Sequence, residues 1–316
     1  MTGIHFRTAE PDSDFTQLAE WFTIIEDQIN TETGLKEYYE KQKERTAICM
    51  AESESGERVG FYWASRDKAE PDRTTFTLYV KPDRRGQGIG SSLYNEIIHN
   101  LPPDIKRLRT MVTDMNPNDK AFAERRGFVE KTHHFGMELD LKTFDDRRFE
   151  VVLAQLRSEG FLFTSMEELG NTEEAQRKLY LLNDSTSKTT PGTEGESPWV
   201  SFEDFQQSVC QSDWYKPGGQ KVVIETSTGT WVAMSAITCF KDTDYAYNLM
   251  TGVDPSYRNR GLGKAVKITA IRYAREILKV DKIRTHHNMF NKPMIAIDQN
   301  LGYTMLPGAF RMEKVL

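Results

Sequence analysis

One short glycine-bearing segment occurs twice in the sequence, and this repeat constrains the fold more than any other feature. The first copy reads Arg-Arg-Gly-Gln-Gly-Ile-Gly at residues 84–90, and the second reads Tyr-Arg-Asn-Arg-Gly-Leu-Gly at residues 257–263. A shift of 173 positions superposes the two copies together with the Val-x-Pro that precedes each of them. Because both copies have the same flanks, the chain is predicted to contain the same folding unit twice.

Further matches continue downstream, where the shift becomes 175 positions. The matched pairs are Arg107–Thr110 with 282–285, Asn116 with Asn291, and Gly127-Phe128 with Gly302-Tyr303. A chain of 316 residues is long enough for two domains, each with its own core. We predict an N-terminal domain at 1–142 and a C-terminal domain at 143–316, with an amphipathic connecting helix at 143–158.

The composition is that of a globular protein that works in a reducing, aqueous compartment. Apolar residues make up 38% of the chain and charged residues 28%, and the three cysteines are scattered. No apolar run reaches the length of a membrane span, and the first residues do not form a signal peptide. With a net charge of −6 and no basic run interleaved with aromatics, nucleic acid is disfavoured as a ligand. A cytoplasmic location without membrane contact is expected.

The hydrophobic patterns predict two α/β domains, each a mixed, twisted sheet flanked by helices. In the first domain, alternation predicts strands at 4–8, 46–51, 58–64, 74–80 and 107–113, followed by two closing strands up to Leu141. In the second domain, the same criteria predict strands at 160–165, 221–225, 231–240 and 245–253, with helices at 173–182 and 202–210. The polar residues 184–198 between those two helices are expected to form a loop.

A strand that ends in Val-x-Pro and runs through Arg-x-x-Gly-x-Gly into a helix is suited to binding a phosphate group. Gly88 and Gly90, like Gly261 and Gly263, allow close approach of the backbone to a ligand. The unpaired N–H groups at the start of the helix and the helix dipole both favour an anion. Simple helix-entry turns are the alternative, whereas the spacing is unlike a dinucleotide-binding loop and no Gly-Lys-[Ser/Thr] of a Walker loop is present.

Both repeats resemble the GNAT superfamily of acetyl-CoA-dependent N-acetyltransferases. The resemblance depends on the Arg-x-x-Gly-x-Gly segments and on the Asn…Gly-Phe/Tyr segments at 116–128 and 291–303, and it covers nearly the whole chain. The second repeat is most similar to bacterial tandem GNAT proteins of the mycothiol-synthase type. The resemblance implies acetyl-CoA as the coenzyme, with its pyrophosphate on the glycine segments and its thioester beside the splayed strands at 77–80 and 250–253.

The resemblance also implies which residues bind the coenzyme. In the first repeat these are Val80, Arg85, Gly86, Gln87, Gly88, Ile89, Gly90, Ser91 and Asn116. In the second repeat they are Val253, Arg258, Asn259, Arg260, Gly261, Leu262, Gly263, Lys264 and Asn291.

The tyrosine that protonates the departing thiolate in many GNAT enzymes is absent from both repeats. Four residues before the Gly-Phe/Tyr pair stand Ala123 and Asp298. Alanine transfers no proton, and Asp298 is interpreted as a solvated helix carboxylate unless its surroundings raise its pKa. Tyr245 and Tyr247, on the strand that enters the second glycine segment, are the candidate substitutes; core packing is the alternative for both.

The sequence also contains two histidine pairs, of which only His287 is a candidate site residue, and a group of aromatic candidates. Neighbours on a strand point to opposite faces, so His133-His134 and His286-His287 are not expected to share a metal, and no metal site is predicted. His287 is a candidate proton relay near the expected acetyl site. Four aromatic residues around the polar loop are candidates either for the acceptor pocket or for the core: Trp199, Phe202, Trp214 and Tyr215.

From the resemblance we expect an enzyme that transfers an acetyl group from acetyl-CoA to a primary amine of a small molecule. The C-terminal domain is the preferred active domain, because its first half is enlarged by residues that are able to form a pocket. Two alternatives stay open, namely a protein or peptide amine as acceptor, and a non-catalytic acyl-CoA-binding module. The protein is expected to be a monomer with an internal pseudo-dimer, or a homodimer.

Overall fold

The computed structural model describes residues 3–26, 30–68, 70–192, 198–241 and 243–316. Twelve strands and nine α-helices lie within these residues. The first part of the chain contains β1 (Ile4–Thr8), α1 (Pro11–Glu26), α2 (Glu32–Glu40), β2 (Thr46–Ser53), β3 (Arg58–Arg66), β4 (Arg73–Val80), α3 (Ile89–His99), β5 (Arg107–Thr113), α4 (Pro117–Glu124) and β6 (Val129–Asp140). The remainder contains α5 (Glu150–Ser158), β7 (Phe161–Ser165), α6 (Glu173–Ser187), α7 (Phe202–Phe205), β8 (Gln220–Glu225), β9 (Thr230–Thr238), β10 (Ala246–Val253), α8 (Leu262–Tyr273), β11 (Lys282–Asn288), α9 (Lys292–Leu301) and β12 (Thr304–Val315).

The chain divides into two compact units, each an α/β sandwich of the predicted class. Unit 1 extends to His133 and also includes Gly308–Leu316, whereas unit 2 is His134–Pro307. The strand order in unit 1 is β1-β2-β3-β4-β5-β12, and only the pair β4–β5 is parallel. The order in unit 2 is β6-β11-β10-β9-β8-β7, and only β10–β11 is parallel. The two units therefore repeat one mixed-sheet topology.

The last strands of the two repeats change places, so the compact units differ from the domains expected at 1–142 and 143–316. β6 follows helix α4 of unit 1 but pairs with β11 of unit 2, and β12 follows α9 of unit 2 but pairs with β5 of unit 1. The exchange preserves one ion pair in each unit, because Arg109 bonds Glu313 at 2.8 Å and Arg284 bonds Glu138 at 2.8 Å. Each sheet is thus completed by the equivalent strand from the other half of the sequence.

Helices cover both faces of each sheet because the strands alternate apolar residues to both sides. In unit 1, one face packs on α1 and α2 through Phe15, Leu18 and Leu35, and the other packs on α3 and α4. In unit 2, α5, α8 and α9 cover one face, and α6 and α7 cover the other. These two faces of the unit 2 sheet are called the α8–α9 face and the α6–α7 face below.

Three predicted segments differ from the structure. The two closing strands expected before Leu141 are one continuous strand, β6. Helix α6 continues to Ser187 into the stretch expected to be a loop, because Asp184 pairs with Lys188 at 2.6 Å and the Thr186 hydroxyl bonds the Leu182 carbonyl. The central part of that stretch, 193–197, lies outside the described residues. The connecting helix is α5, which starts several residues later than expected.

None of the helices in the described residues combines the length and the apolar character that crossing a bilayer requires.

A buried carboxylate in unit 1 makes the stability of this unit dependent on pH. The Asp14 side chain is 0% exposed and accepts hydrogen bonds from Arg7, from the Glu10 N–H and from Arg58, at 2.6–2.9 Å. Burial alone would raise the pKa of Asp14, but the hydrogen bonds from Arg7, the Glu10 N–H and Arg58 outweigh it and lower the pKa to about 2. The ionised form is therefore favoured by folding.

Because the folded pKa lies below the unfolded value, this carboxylate contributes stability above about pH 4 that is lost as the pH falls towards about 2. We expect Asp14→Asn to lower the free energy of unfolding of unit 1 at pH 7 by about 2 kcal/mol and to flatten its acid dependence. Hydrogen exchange of the β1–β3 amides at a series of pH values measures the free energy of unfolding and its dependence on pH. The control is Asp12→Asn on the same helix, whose side chain is fully exposed. If the free energy of unfolding depends on pH in the same way in the wild type and in Asp14→Asn, Asp14 is not the group that causes the acid dependence.

Candidate active site

The two glycine segments adopt the same backbone conformation, which explains the residue types at each position. Gly88 and Gly261 have φ of +86° and +82° at the start of α3 and α8. Two positions earlier, Gly86 and Asn259 have φ of +76° and +64°. Asn is the residue type that best replaces Gly in this left-handed region, so the change between the copies keeps the geometry.

The N–H groups of each segment are available to an anion. The first helical hydrogen bonds are donated by Ser92 to Gly88 and by Ala265 to Gly261, and the amides of residues 86–91 and 259–264 have no hydrogen-bond partner within the described chain. A Cβ built on Gly88 or on Gly261 meets nothing within 4 Å, so space is open in front of both. Free amides, open space and the positive end of a helix dipole together form an anion cradle.

Gly90 and Gly263 have a different role, which is close packing of the helix on the preceding strand. A Cβ on Gly263 would lie 3.1 Å from Val253 Cγ2, and one on Gly90 would lie 3.4 Å from the Phe122 ring. The side chains that follow the left-handed glycines, Ile89 and Leu262, are 2% and 1% exposed and anchor the helices in the cores. The cradles are therefore held rigidly against their sheets.

The arginine of each segment is fixed by the same hydrogen bond. Arg85 Nε donates to the Val80 carbonyl at 3.2 Å, and Arg258 Nε donates to the Val253 carbonyl at 3.2 Å. The other ends of the two guanidinium groups differ. Arg85 lies 3.4 Å from the Asp119 carboxylate, whereas Arg258 bonds the neutral hydroxyl of Thr189. The positive charge beside the cradle is thus partly cancelled in unit 1 and retained in unit 2.

The remaining residues of the two segments lie at the rims of the cradles. Gln87 is exposed, and the Ser91 hydroxyl accepts a hydrogen bond from Arg126 at 2.7 Å. Arg260 lies 4.7 Å from the centroid of the Phe161 ring and pairs weakly with Glu159. Lys264 bonds Asn300 at 3.3 Å.

The two asparagines of the repeat stand at the starts of helices α4 and α9. The Asn116 side chain accepts the Asn118 N–H and donates to Asp119 at 3.2 Å. Asn291 makes no side-chain capping bond. Unlike the Asn116 side chain, the Asn291 side chain therefore makes no hydrogen bond to the start of its helix.

The two parallel strands separate before the cradle in each unit, as the family resemblance implied. Pairing of β4 with β5 ends at Phe76, and pairing of β10 with β11 ends at Tyr247. Residues 77–80 and 248–253 then continue without a partner on that side. The resulting clefts lead from the sheets to the glycine cradles.

Unit 2 has an irregularity in its cleft that unit 1 lacks. The register between β10 and β9 shifts between Asn248 and Met250, so Leu249 is an extra residue, while β4 pairs with β3 without a shift. The buried Asn248 amide donates to the Ser235 hydroxyl at 3.1 Å and to the Ala236 carbonyl at 2.8 Å, which holds the bulge in place. A bulge leaves backbone polar groups outside the ladder, so Leu249 is a candidate backbone donor for a ligand in the cleft.

A cluster of buried titratable residues lies on the α8–α9 face of unit 2, formed by Lys267, His287, Asp298 and Tyr303. Asp298 is 0% exposed, which corrects its interpretation as a solvated carboxylate. It is buried because it lies one turn before the buried Leu301 on the inner face of α9. Asp298 Oδ2 bonds His287 Nε2 at 2.8 Å.

The same carboxylate neutralises a fully buried ammonium group. Asp298 Oδ1 forms an ion pair with Lys267, which is 1% exposed, but accepts no hydrogen bond of ordinary geometry from the described residues. Burial lowers the pKa of Lys267, and the attraction to Asp298 opposes this effect. Burial and the nearby Asp298 raise the pKa of Tyr303 well above its ordinary value, and its hydroxyl has no partner within the described chain.

The equivalent positions of unit 1 form ordinary core. They are occupied by Tyr94, Val112, Ala123 and Phe128, all buried. The Tyr94 and Phe128 rings pack edge to face at 6.2 Å. The fold therefore accommodates apolar or aromatic residues at these positions, and the charged cluster is a property of unit 2 alone.

A second pair of polar residues lies on the α6–α7 face of unit 2. The Tyr247 hydroxyl is 2.6 Å from His286 Nδ1, and the two rings stack with centroids 5.8 Å apart. Phe240 contacts the Tyr247 ring, and Trp214 contacts Phe240. The neighbouring Tyr245 lies under the guanidinium group of Arg284 at 4.3 Å. His286 was not among the candidates drawn from the sequence, because its contact with Tyr247 depends on the register of two distant strands.

The four aromatic candidates for the acceptor pocket differ in their burial and in their contacts. Phe202 and Tyr215 are buried in the core under α6 and α7, and the Tyr215 hydroxyl bonds Asn171 at 2.9 Å. Core packing therefore accounts for both. Trp199 packs on Phe205 and bonds Asn183 at 3.1 Å. Trp214 is partly buried and connects through Phe240 to Tyr247, so it is the candidate nearest to the cleft.

Comparison with known proteins agrees with this description of the fold. Residues 44–130 match the model of an acetyltransferase (GNAT) domain, and residues 182–303 match that of the acetyltransferase (GNAT) family. The chain belongs to the GNAT acetyltransferases and contains two GNAT domains in tandem.

Three similar proteins are compared, one of which is described as a tandem GNAT protein. The chain is 23% identical over 269 residues to a mycothiol acetyltransferase of Nocardiopsis dassonvillei, covering 80% of this chain and 77% of that protein. Among solved structures, a GCN5-related N-acetyltransferase from Sphaerobacter thermophilus matches with a TM-score of 0.64 at 13% identity, covering 99% of this chain and 95% of the other. A tandem GNAT protein from the clavulanic acid biosynthesis pathway matches with a TM-score of 0.61 at 18% identity, covering 99% and 98%. These structural likenesses concern the fold.

Proposed function

We propose that the protein transfers an acetyl group from acetyl-CoA to a primary amine of a small molecule, and that unit 2 carries out the reaction. The observation that supports this most directly is the cleft of unit 2. It connects an open anion cradle with a bulged strand, and titratable side chains flank it on both faces.

The residues of the unit 2 cradle fit the pyrophosphate of coenzyme A. The free amides around Gly261 and the guanidinium group of Arg258 would bind the phosphate oxygens, with Asn259, Leu262 and Gly263 shaping the backbone. Val253, Arg260, Lys264 and Asn291 complete the proposed coenzyme-binding residues. The pantetheine arm would follow the unpaired edge of β10, so that the Leu249 backbone donor is available to the thioester oxygen.

Unit 1 has a cradle of the same shape but lacks the titratable side chains that flank the cleft of unit 2. Its proposed coenzyme-binding residues are Val80, Arg85, Gly86, Gln87, Gly88, Ile89, Gly90, Ser91 and Asn116. The carboxylate of Asp119 beside Arg85 disfavours a second anion there. Thr75 and Met111 occupy the positions equivalent to Tyr247 and His286, and Val112 and Ala123 those equivalent to His287 and Asp298. Unit 1 therefore supports at most coenzyme binding without turnover.

Proton transfer in unit 2 is assigned to the side chains at its cleft. On the α8–α9 face, Asp298 holds His287 as the candidate donor to the departing thiolate, in the place where the GNAT tyrosine is missing. On the α6–α7 face, Tyr247 is the candidate that borders the acceptor, and Tyr245 flanks it. An amine that approaches from this face meets Trp214 and Phe240 first.

The test is release of free CoA thiol by the full-length protein with acetyl-CoA and a panel of amines. The panel contains spermidine, kanamycin, a cysteinyl glucosamine and a lysine-containing peptide. We expect turnover with at least one small amine and none with the peptide. Turnover with the peptide alone would indicate a protein acceptor, and acetyl-CoA binding without turnover on any amine would indicate a non-catalytic module.

A further inference from the structure

The Tyr247–His286 pair occupies the point at which the two parallel strands of unit 2 separate. Tyr247 is the last residue of β10 that pairs with β11, and its partner in the register is Arg284. His286 is two residues further along β11, so both side chains lie on the α6–α7 face beside the start of the cleft. The Lys267–Asp298 cluster lies on the other face of the same sheet, the α8–α9 face.

One nitrogen of the His286 ring is held and the other is accessible. Nδ1 is 2.6 Å from the Tyr247 hydroxyl, whereas Nε2 has no hydrogen-bond partner in the described residues, and the side chain is exposed. The residue opposite His286 on β6 is Gly136, which contributes no side chain, and the Leu306 side chain lies against it. Because the His286 side chain is exposed, a small molecule that enters from the α6–α7 face can reach Nε2.

The groups around the ring favour its neutral form. On β11 these are His287, which points to the opposite face, and Arg284; on β6 they are His134 and Glu138; on β10 they are Tyr245 and Tyr247. Arg284 is paired with Glu138 at 2.8 Å, so their charges largely cancel. Although His286 is exposed, packing of its ring against the sheet removes part of the ring's hydration; this desolvation and the neighbouring His287 lower the pKa of His286, and burial raises that of Tyr247. Near neutral pH the pair is an imidazole base beside an un-ionised phenol.

We propose that His286 is the general base that takes the proton from the acceptor ammonium group, and that Tyr247 is the positioning residue that selects its reactive tautomer. In this arrangement Nδ1–H donates to the Tyr247 oxygen, so the lone pair of Nε2 faces the incoming amine. The proposal rests on the proposed function and adds the residue through which unit 2 activates its acceptor.

The proton balance of the reaction is complete with these groups. The ammonium group gives one proton to Nε2, and His286 then releases this proton to solvent through its exposed edge. The nitrogen lone pair forms the C–N bond to the acetyl carbon while the C–S bond breaks, and the second proton of the nitrogen ends on the departing sulfur. The net change converts R–NH₃⁺ and the acetyl thioester into the acetamide, the free thiol and one H⁺.

The test is a pH profile of kcat/KM for His286→Ala and Tyr247→Phe, with the panel amine that the wild type acetylates fastest. Removal of a general base is expected to lower kcat by about 10²- to 10³-fold and to abolish the acidic limb of the profile that the wild type owes to His286. Added imidazole is expected to restore turnover of His286→Ala in proportion to its neutral fraction. Tyr247→Phe is expected to lose about tenfold in kcat, because one orienting hydrogen bond is removed.

Three further measurements keep the outcomes distinct. The affinity for acetyl-CoA, measured by calorimetry, is expected to be unchanged in both variants, which shows that they are folded. Met111→Ala, at the equivalent position of unit 1, is expected to keep wild-type kinetics, and added imidazole is expected not to change its rate of turnover. A His286→Ala protein that keeps the acidic limb of the wild type overturns the assignment of the base. If the wild type itself releases no thiol with any amine, the proposed function fails instead.

Discussion

Replacing Gly261 by glutamate is expected to abolish turnover. The position has φ of +82° and open space in front of it, so the new side chain enters the cradle itself. A carboxylate about 5 Å from the pyrophosphate in a partly buried site costs about 3 kcal/mol, or about a hundredfold in coenzyme affinity. The measurement is the rate of CoA thiol release and its KM for acetyl-CoA.

Two matched variants separate the charge effect from backbone strain. Gly261→Asn places a neutral side chain at the same position, and Asn tolerates this conformation, as Asn259 shows within the same segment. Gly88→Glu introduces the same charge and nearly the same strain, at φ of +86°, into unit 1. We expect both variants to retain most of the turnover. A larger loss in Gly88→Glu than in Gly261→Glu would transfer the active site to unit 1.

Replacing Asp298 by leucine is expected to be the most destabilising single change in unit 2. The ammonium group of Lys267, 1% exposed, would lose its counterion, and His287 would lose its hydrogen bond. Breaking a buried ion pair in this way costs about 3–5 kcal/mol. Urea unfolding, monitored by hydrogen exchange of the β10, β11 and α8 amides, measures the free energy of unfolding of this unit.

The equivalent residues of unit 1 provide the control. A quadruple variant with Lys267→Tyr, His287→Val, Asp298→Ala and Tyr303→Phe installs the side chains that pack as core at the same positions of unit 1. Because replacing buried ions by well-packed apolar residues is often neutral or stabilising, we expect this variant to recover the stability that Asp298→Leu loses. Recovered stability with lost turnover would fit a role of His287 and Asp298 in proton transfer. A single Asp298→Leu variant as stable as the wild type would contradict the ion pair.

Local patterns in the sequence were sufficient for the repeat of one α/β topology, for most strands and for the helix starts at both glycine segments. These features depend on short-range chemistry: glycines with left-handed φ, a helix start that leaves amides free, and alternation along the strands. The separation of the parallel strands was an expectation from the family resemblance. The family resemblance then supplied the ligand that such cradles hold.

The exchange of the last strands could not be predicted, because β6 and β12 carry nearly the same pattern. Phe135, Met137 and Glu138 of β6 correspond to Phe310, Met312 and Glu313 of β12. Either strand therefore offers the same side chains to either sheet, and each glutamate meets an equivalent arginine. Only the tertiary arrangement decides which unit each strand completes.

The surroundings of the candidate proton-transfer residues could not be predicted for a related reason. The interpretation of Asp298 as solvated is wrong because Lys267 and His287, which neutralise it and hydrogen-bond to it, are distant in sequence. The helical spacing from Asp298 to the apolar Leu301 was the available signal for burial. Likewise, the contact of Tyr247 with His286 follows from the parallel register of β10 and β11, which short-range patterns do not specify.

The account depends above all on acetyl-CoA binding at the unit 2 cradle, and calorimetric titration of the full-length protein tests this directly. Acetyl-CoA is expected to bind the wild type with a binding event that Gly261→Glu loses and Gly88→Glu keeps. An isotherm that Gly261→Glu leaves unchanged, or a wild-type protein that binds a nucleotide such as ATP or NADH but not acetyl-CoA, would contradict the account.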